Sequence, residues 1–262
     1  MTESDAYAGR VLSEHHGAVL VLTVSFPARR NALTRSMLSQ LVDALPTTGA
    51  VGASSTRAVV LRGDPAGGSF SAGYDLSAVD DDELARGLDP IDVPACALES
   101  CSVPVIAAID GPAFGGGLEL AMACHLRVAA TNSRFCMPPA KLGVAYTTTG
   151  LLRFLRHMRP AQVTRLFLAG EVFDSEEALA LGLVEQVATD EGAFDTAMRF
   201  AERVAANAPL AVSAMHSAIR CLTERGGPTA AQLEEAEHAR QRALRSSDLV
   251  EGVAAFLEKR PP

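Results

Sequence analysis

No stretch of the sequence is long and apolar enough to cross a bilayer as a helix. The amino terminus, Met1-Thr2-Glu3-Ser4-Asp5, has neither the basic start nor the apolar segment of a secretory signal, so the expected location is the cytoplasm, with no membrane partner. There is no Cys-x-x-Cys pair. Cys96, Cys101, Cys124, Cys136 and Cys221 are odd in number and sit mostly among apolar neighbours, the pattern of reduced, buried thiols rather than of disulfides or a metal site. The six histidines have no ligand spacing either, and no metal is expected. Basic residues are scattered except around Arg153, Arg156, His157 and Arg159, and a formal net charge of -8 argues against nucleic acid as a partner. The phosphate-cradling pattern G-x-x-x-x-G-K-[ST] is missing, and Gly115-Gly116-Gly117 does not have the spacing of G-x-G-x-x-G, so nucleotide hydrolysis has no support. Repeats, low-complexity tracts and clear interdomain linkers are absent too.

What is present fits one large α/β unit with a full core: 262 residues, 48% apolar and 21% charged. Residues 19–24 (VLVLTV) read as a strand, followed by a turn at Pro27 and an amphipathic helix with Thr34 as its N-cap. A second strand is expected at 58–61. The acidic run Asp80-Asp81-Asp82-Glu83 reads as a solvated loop or helix start. Residues 103–109 are a short, β-branched apolar run bounded by Pro104 and by Asp110-Gly111-Pro112, consistent with a buried parallel strand. Residues 118–124 have helical spacing and 126–130 return as strand. This alternation implies βα crossovers and a largely parallel sheet; beyond about Thr147 the chain reads as helical apart from a strand near 183–187.

Two loops carry the candidate chemistry, Ser69-Phe70-Ser71-Ala72-Gly73-Tyr74-Asp75-Leu76 and Gly111-Pro112-Ala113-Phe114-Gly115-Gly116-Gly117-Leu118-Glu119. Each follows an expected strand. Glycines that open a helix leave backbone N–H groups unpaired, with the helix dipole behind them, which suits an anion or a developing oxyanion. A glycine run can equally serve to let a helix pack close to a sheet.

Taken together and in order, residues 70–76, 104–111 and 115–121 resemble the core of the enoyl-CoA hydratase/isomerase (crotonase) superfamily. Asn31-Ala32-Leu33, the segment from Gly170 to Gly182-Leu183-Val184, and Phe256-Leu257-Glu258-Lys259-Arg260 extend the resemblance over essentially the whole chain. The resemblance implies an α/β fold, a spiral of ββα units with a helical C-terminal region. Residues 1–195 would form the acyl-CoA-binding core and 196–262 a helical trimerisation region, the assembly being a homotrimer or a dimer of trimers. It implies an acyl-CoA thioester as substrate, with no further cofactor, and enolate chemistry of the hydratase (lyase) or isomerase kind. It places oxyanion-hole amides at Tyr74 and Gly116, and an acid/base carboxylate at Glu119; a carboxylate in a first helical turn can also simply answer the helix dipole. Arg30, Ala32, Ala72, Asp75, Leu76, Ser77, Phe256 and Lys259 would contact the substrate, Arg30 and Lys259 as cations toward the CoA phosphates; both can also be read as plain surface cations.

The sequence departs from the family pattern at one decisive place. The second glutamate of the hydratases corresponds to Pro139, which can transfer no proton. The aspartate nucleophile of the dehalogenase branch corresponds to Thr147, and dehalogenation is set aside. Residues 137–146 (MPPAKLGVAY) are similar to the methylmalonyl-CoA decarboxylase branch, which carries a tyrosine in the place of Tyr146 but a histidine in the place of Tyr74. Three expectations follow: a hydratase-like enzyme with Glu119 as its retained acid/base, a decarboxylase using Tyr146, or a non-catalytic acyl-CoA-binding protein.

Overall fold

The computed structural model describes residues 9–46, 56–75, 90–189, 191–223, 228–258 and 260. Its centre is a six-stranded sheet. Strand β1 (Arg10–His16) is antiparallel to β2 (Val19–Ser25); β2 is followed in parallel by β3 (Ala58–Gly63), β4 (Val105–Ile109), β6 (Leu126–Ala130) and β9 (Gln186–Ala188). Three short strands, β5 (Pro112–Phe114), β7 (Arg134–Cys136) and β8 (Val172–Asp174), make a second sheet in the order β5-β7-β8.

Side chains alternate between the faces of the main sheet because successive strand residues point to opposite sides. Leu20, Leu22, Val59, Leu61, Val105 and Ala107 pack on one face against helices α1 (Arg35–Ala44), α2 (Asp92–Glu99) and α3 (Gly116–Ala123). Val19, Val21, Val60, Ile106, Ala108 and Val128 pack on the other, mainly against Ala193, Ala197, Ala201 and Ala205 of α7 (Gly192–Ala205). Between them in sequence lie α4 (Thr148–Leu155), α5 (Pro160–Thr164) and α6 (Ser175–Ala180), and α7 is followed by α8 (Pro209–Leu222), α9 (Ala230–Leu244) and α10 (Ser247–Glu258).

The strands expected at 19–24, 58–61, 103–109 and 126–130 are all present, and the Thr34 hydroxyl accepts from Met37 N as the N-cap of α1. Several expectations need correction. The region after Thr147 holds β8 as well as β9, and the latter lies at 186–188, later than read, because Leu183 and Val184 are spent in the core before the strand begins. The expected boundary at 195/196 lies within α7, whose small alanine face packs on the main sheet. Cys101, Cys124, Cys136 and Cys221 are buried free thiols, and burial pushes the Cys124 thiol up to about 12; Cys96, on α2, is exposed. The acidic run at 80–83 lies outside the described residues.

Candidate active site

The first loop hangs from the segment that follows β2. There Arg30 and Asn31 take left-handed backbone conformations (φ 52° and 54°), which turn the buried Asn31 carboxamide inward. Its Oδ1 accepts from Phe26 N at 3.0 Å, and its Nδ2 donates to Asp64 O at 2.9 Å and Ser69 O at 2.8 Å, so one side chain fastens both ends of the 64–69 segment. Ala72 N then donates to Arg30 O at 3.0 Å, Leu33 N to Gly73 O at 2.8 Å, and Asp75 N to Leu33 O at 2.9 Å. This parallel bridge uses the groups flanking Tyr74 and turns the Tyr74 N–H to the opposite side.

The second loop is held to the first by another parallel bridge, Ser71 to Ala113, with Phe114 N donating to Ser71 O at 3.0 Å. Gly115, at φ 50° and ψ -127°, is a conformation that a side chain would strain, and it starts α3 with Gly116 as the first helical residue. The Tyr74 and Gly116 amides thereby become neighbours: a Cβ built on Gly116 would stand 3.6 Å from the Tyr74 nitrogen. Neither amide donates to an acceptor among the described residues. Gly73 (φ 100°) also belongs to glycine alone, since an added Cβ would meet Phe114 O at 2.9 Å.

Both amides open onto a pocket of about 490 Å³. Leu38 and Val42 of α1, Ile91, Val93 and Pro94 at the start of α2, and Met137 and Leu142 make its wall largely apolar; Ala72, Pro139 and Tyr146 also line it. Among the described residues, Arg35 is the one cation in that lining. The apolar wall suits an acyl chain, and the paired N–H groups suit a carbonyl oxygen acquiring charge.

Glu119, the expected acid/base carboxylate, lies behind this lining. It is 0% exposed and is absent from the pocket lining; Tyr146, which does line the pocket, donates its hydroxyl proton to Glu119 Oε2. The other oxygen, Oε1, accepts from Arg153 Nη1 at 2.6 Å. Arg153 is itself only 2% exposed and donates through Nη2 to Asp92 Oδ1 at 2.8 Å and to Cys96 Sγ at 3.1 Å, while Glu99 Oε1 lies 3.3 Å from its Nε. Burial works against the Arg153 charge, but the hydrogen bond to Asp92 and the negative charges of Glu99 and Glu119 outweigh it and hold the guanidinium above its ordinary value.

The two loops and Tyr146 thus come together at one pocket, with Glu119 and Arg153 immediately behind. Arg30 is exposed and Ala32 buried, and neither they nor Asp75 line the pocket; Ala72 does. Phe256 lies on α10, and Leu76, Ser77 and Lys259 lie outside the described residues. The sequence reading missed Arg153 as a site residue, having left it in a loose basic cluster. The available signal was its place among Leu151, Leu152, Phe154 and Leu155 on an amphipathic helix, where it occupies a buried position.

The enoyl-CoA hydratase/isomerase family profile matches residues 14–262. The chain belongs to this family. Among other members, it is 34% identical over 247 residues to the 2,3-dehydroadipyl-CoA hydratase of Escherichia coli (strain K12), covering 93% of this chain and 94% of that one. It is 32% identical over 272 residues to the mitochondrial methylglutaconyl-CoA hydratase of Homo sapiens, covering 100% of this chain and 78% of that one. The crystal structure of an enoyl-CoA hydratase from Polaromonas sp. JS666 superposes with a TM-score of 0.84 at 30% identity, covering 97% and 99% of the two chains. The expected α/β crotonase-type fold is borne out by such neighbours, and the protein is an acyl-CoA enzyme of this family.

Proposed function

We propose that the protein hydrates an enoyl-CoA, adding the oxygen of water to Cβ and a proton to Cα through a thioester enolate held by the Tyr74 and Gly116 amides. The observation that carries this reading is the convergence of two acceptor-free backbone N–H groups on an apolar pocket, with the N-terminus of α3 behind one of them. Because both donors are main-chain groups, the tyrosine side chain at 74 does not disable them. Each such hydrogen bond stabilises the charged transition state by about 3 kcal/mol. Pro139 stands in the pocket wall and supplies no proton transfer, which leaves Glu119 as the retained carboxylate. The relatives named as hydratases support water addition as the net reaction. In this reading Arg30, Ala32, Ala72, Asp75, Leu76, Ser77, Phe256 and Lys259 contact the thioester and its CoA. The exposed apolar residues of α8 and α10, among them Ile219, Leu222, Val250 and Val253, serve a homotrimer or dimer of trimers in the cytoplasm.

The placement of Tyr146 in the pocket wall, with Glu119 sealed behind it, favours a second reading. A decarboxylation needs no base to make the enolate, only the two amides and a later proton donor, a part open to the Tyr146 phenol. Incubation with crotonyl-CoA, longer enoyl-CoAs and methylmalonyl-CoA in separate reactions, followed by mass spectrometry, tests both. A gain of one water is the expected result, and loss of CO₂ moves the assignment to decarboxylation. Binding without any mass change refutes both in favour of a non-catalytic acyl-CoA-binding protein.

A further inference from the structure

We propose that Gly150 is a positioning residue: by carrying no side chain it leaves the notch on α4 in which the Tyr146 ring sits, and so brings the Tyr146 hydroxyl to Glu119. The inference rests on the hydration reading above, in which Glu119 is the retained carboxylate, and goes beyond it in assigning what seats the group that donates to that carboxylate. Three observations carry it. A Cβ on Gly150 would stand 2.5 Å from Tyr146 Cε1, 2.8 Å from Tyr146 Cδ1 and 3.0 Å from Glu119 Oε1, so even one methyl group would enter space that both side chains already fill. The Tyr146 hydroxyl donates to Glu119 Oε2, so the ring seated against Gly150 is the one that reaches the carboxylate. Gly150 itself has little freedom to retreat: it is buried, and its N–H donates at 3.1 Å to the hydroxyl of Thr147, the N-cap of α4.

The surroundings decide which group yields to an added side chain. Glu119 is 0% exposed and its Oε1 accepts from Arg153 Nη1 at 2.6 Å, while Arg153 is fastened in turn to Asp92 of α2 at 2.8 Å. The Tyr146 ring packs edge-on to Phe167, with the ring centres 5.1 Å apart, but it is only half-buried and borders the pocket, an open volume into which it can turn. A methyl group at position 150 therefore moves the ring, and with it the phenol, off Glu119 while α4 stays in place. Local conformation gives no reason for the glycine. Its backbone is helical, with no left-handed φ to favour glycine, and alanine is the better helix former. The notch for Tyr146 is what the missing side chain provides.

The test sets Gly150→Ala, Tyr146→Ala and the double variant beside the wild type, by kcat on an enoyl-CoA and by ¹⁹F NMR of 3-fluorotyrosine-labelled protein. The Tyr146 resonance is assigned by its absence in Tyr146→Phe. In folded Gly150→Ala that resonance should move, and kcat should fall on the order of 100-fold, the loss that a displacement of about 1 Å at a site can bring. Because Gly150 acts through the ring, the double variant should lie within about 2-fold of Tyr146→Ala, whereas a double variant that multiplies the two losses overturns the assignment. An unmoved Tyr146 resonance, or a Gly150→Ala protein with the wild-type kcat, overturns it as well. Should Gly150→Ala fail to fold, the double variant should fold again, since the ring that obstructs the methyl is gone; failure of that rescue also overturns the assignment. A wild type that turns over no enoyl-CoA refutes the hydration reading, and the ¹⁹F shift then decides the seat of the ring by itself.

Discussion

Replacing Arg153 by methionine should destabilise the fold far more than replacing its partner Glu119 by glutamine. The asymmetry follows from what each change leaves behind. Arg153→Met takes from the fully buried Glu119 the guanidinium that donates to its Oε1, and breaking a buried pair in this way costs about 3–5 kcal/mol. Glu119→Gln keeps a polar group for Tyr146 and Arg153, and leaves Arg153 its contact to Asp92 at 2.8 Å, so roughly 1–2 kcal/mol is expected, nearer the cost of one hydrogen bond. The double variant should be no less stable than Arg153→Met alone, because a neutral amide in place of the buried carboxylate has no need of the guanidinium, and the coupling should reach about 2 kcal/mol. Urea titration followed by circular dichroism at pH 7, with a constant slope across the four proteins, measures all terms. A cost below about 1 kcal/mol for Arg153→Met, or strict additivity in the double variant, would refute the claim that the pair is buried and mutually dependent.

Two further expectations concern the frame of the site. Asn31→Ala removes a buried side chain that makes three hydrogen bonds, at about 1 kcal/mol each, so a loss near 3 kcal/mol is expected. Because those bonds fasten the loop that bears Tyr74, acyl-CoA affinity measured by calorimetry should fall as well; a stable variant with unchanged affinity refutes the tether. Burial lowers His125 to about 3 and His157 and His216 to about 4, the neighbouring His216 adding to the first, so all three are neutral in the fold. The unfolded chain takes up protons below about pH 6.5 while the folded one does not, so stability is full above that pH and falls toward pH 4, by up to about 1.4 kcal/mol per pH unit for each histidine. Replacing His216 with phenylalanine, which keeps an aromatic ring edge-on to His125, should flatten the decline of Tm between pH 6.5 and 4.5; an unchanged slope refutes the assignment.

The parts of the molecule that could be read from the sequence are those whose signal is local. Strand β2 shows an apolar run, VLVL, followed by Thr23 and Val24, because both of its faces are covered, and Thr34 announces α1 because an N-cap acts within three residues. Strand β1 was not legible for the opposite reason: it is an edge strand whose residues are mostly exposed, so RVLSEHH reads as polar chain. Strands β5, β7 and β8 have three residues each, too few for any period to register. The two glycine loops were found by their pattern, but their meeting depends on the bridges Leu33–Tyr74 and Ser71–Ala113, which join residues about 40 positions apart. Arg153 was missed because its meaning lies in Glu119, 34 residues away, and in Asp92, 61 away.

The main-chain origin of the Tyr74–Gly116 contact has a consequence for how this chain can change. The spacing of the two amides is set by Asn31, by left-handed turns and by two parallel bridges, none of which involves Pro139, Tyr146 or the apolar wall. Substitutions in that wall can therefore alter which proton moves and which chain fits while the anion-facing geometry stays put. Pro139, at the start of a short turn from Pro139 to Leu142, stands in that wall and apart from the contacts that set the frame. On the proposed reading, the architecture separates a fixed electrostatic seat from an interchangeable set of proton carriers, so new reactivity would require rewriting side chains and not refolding the backbone.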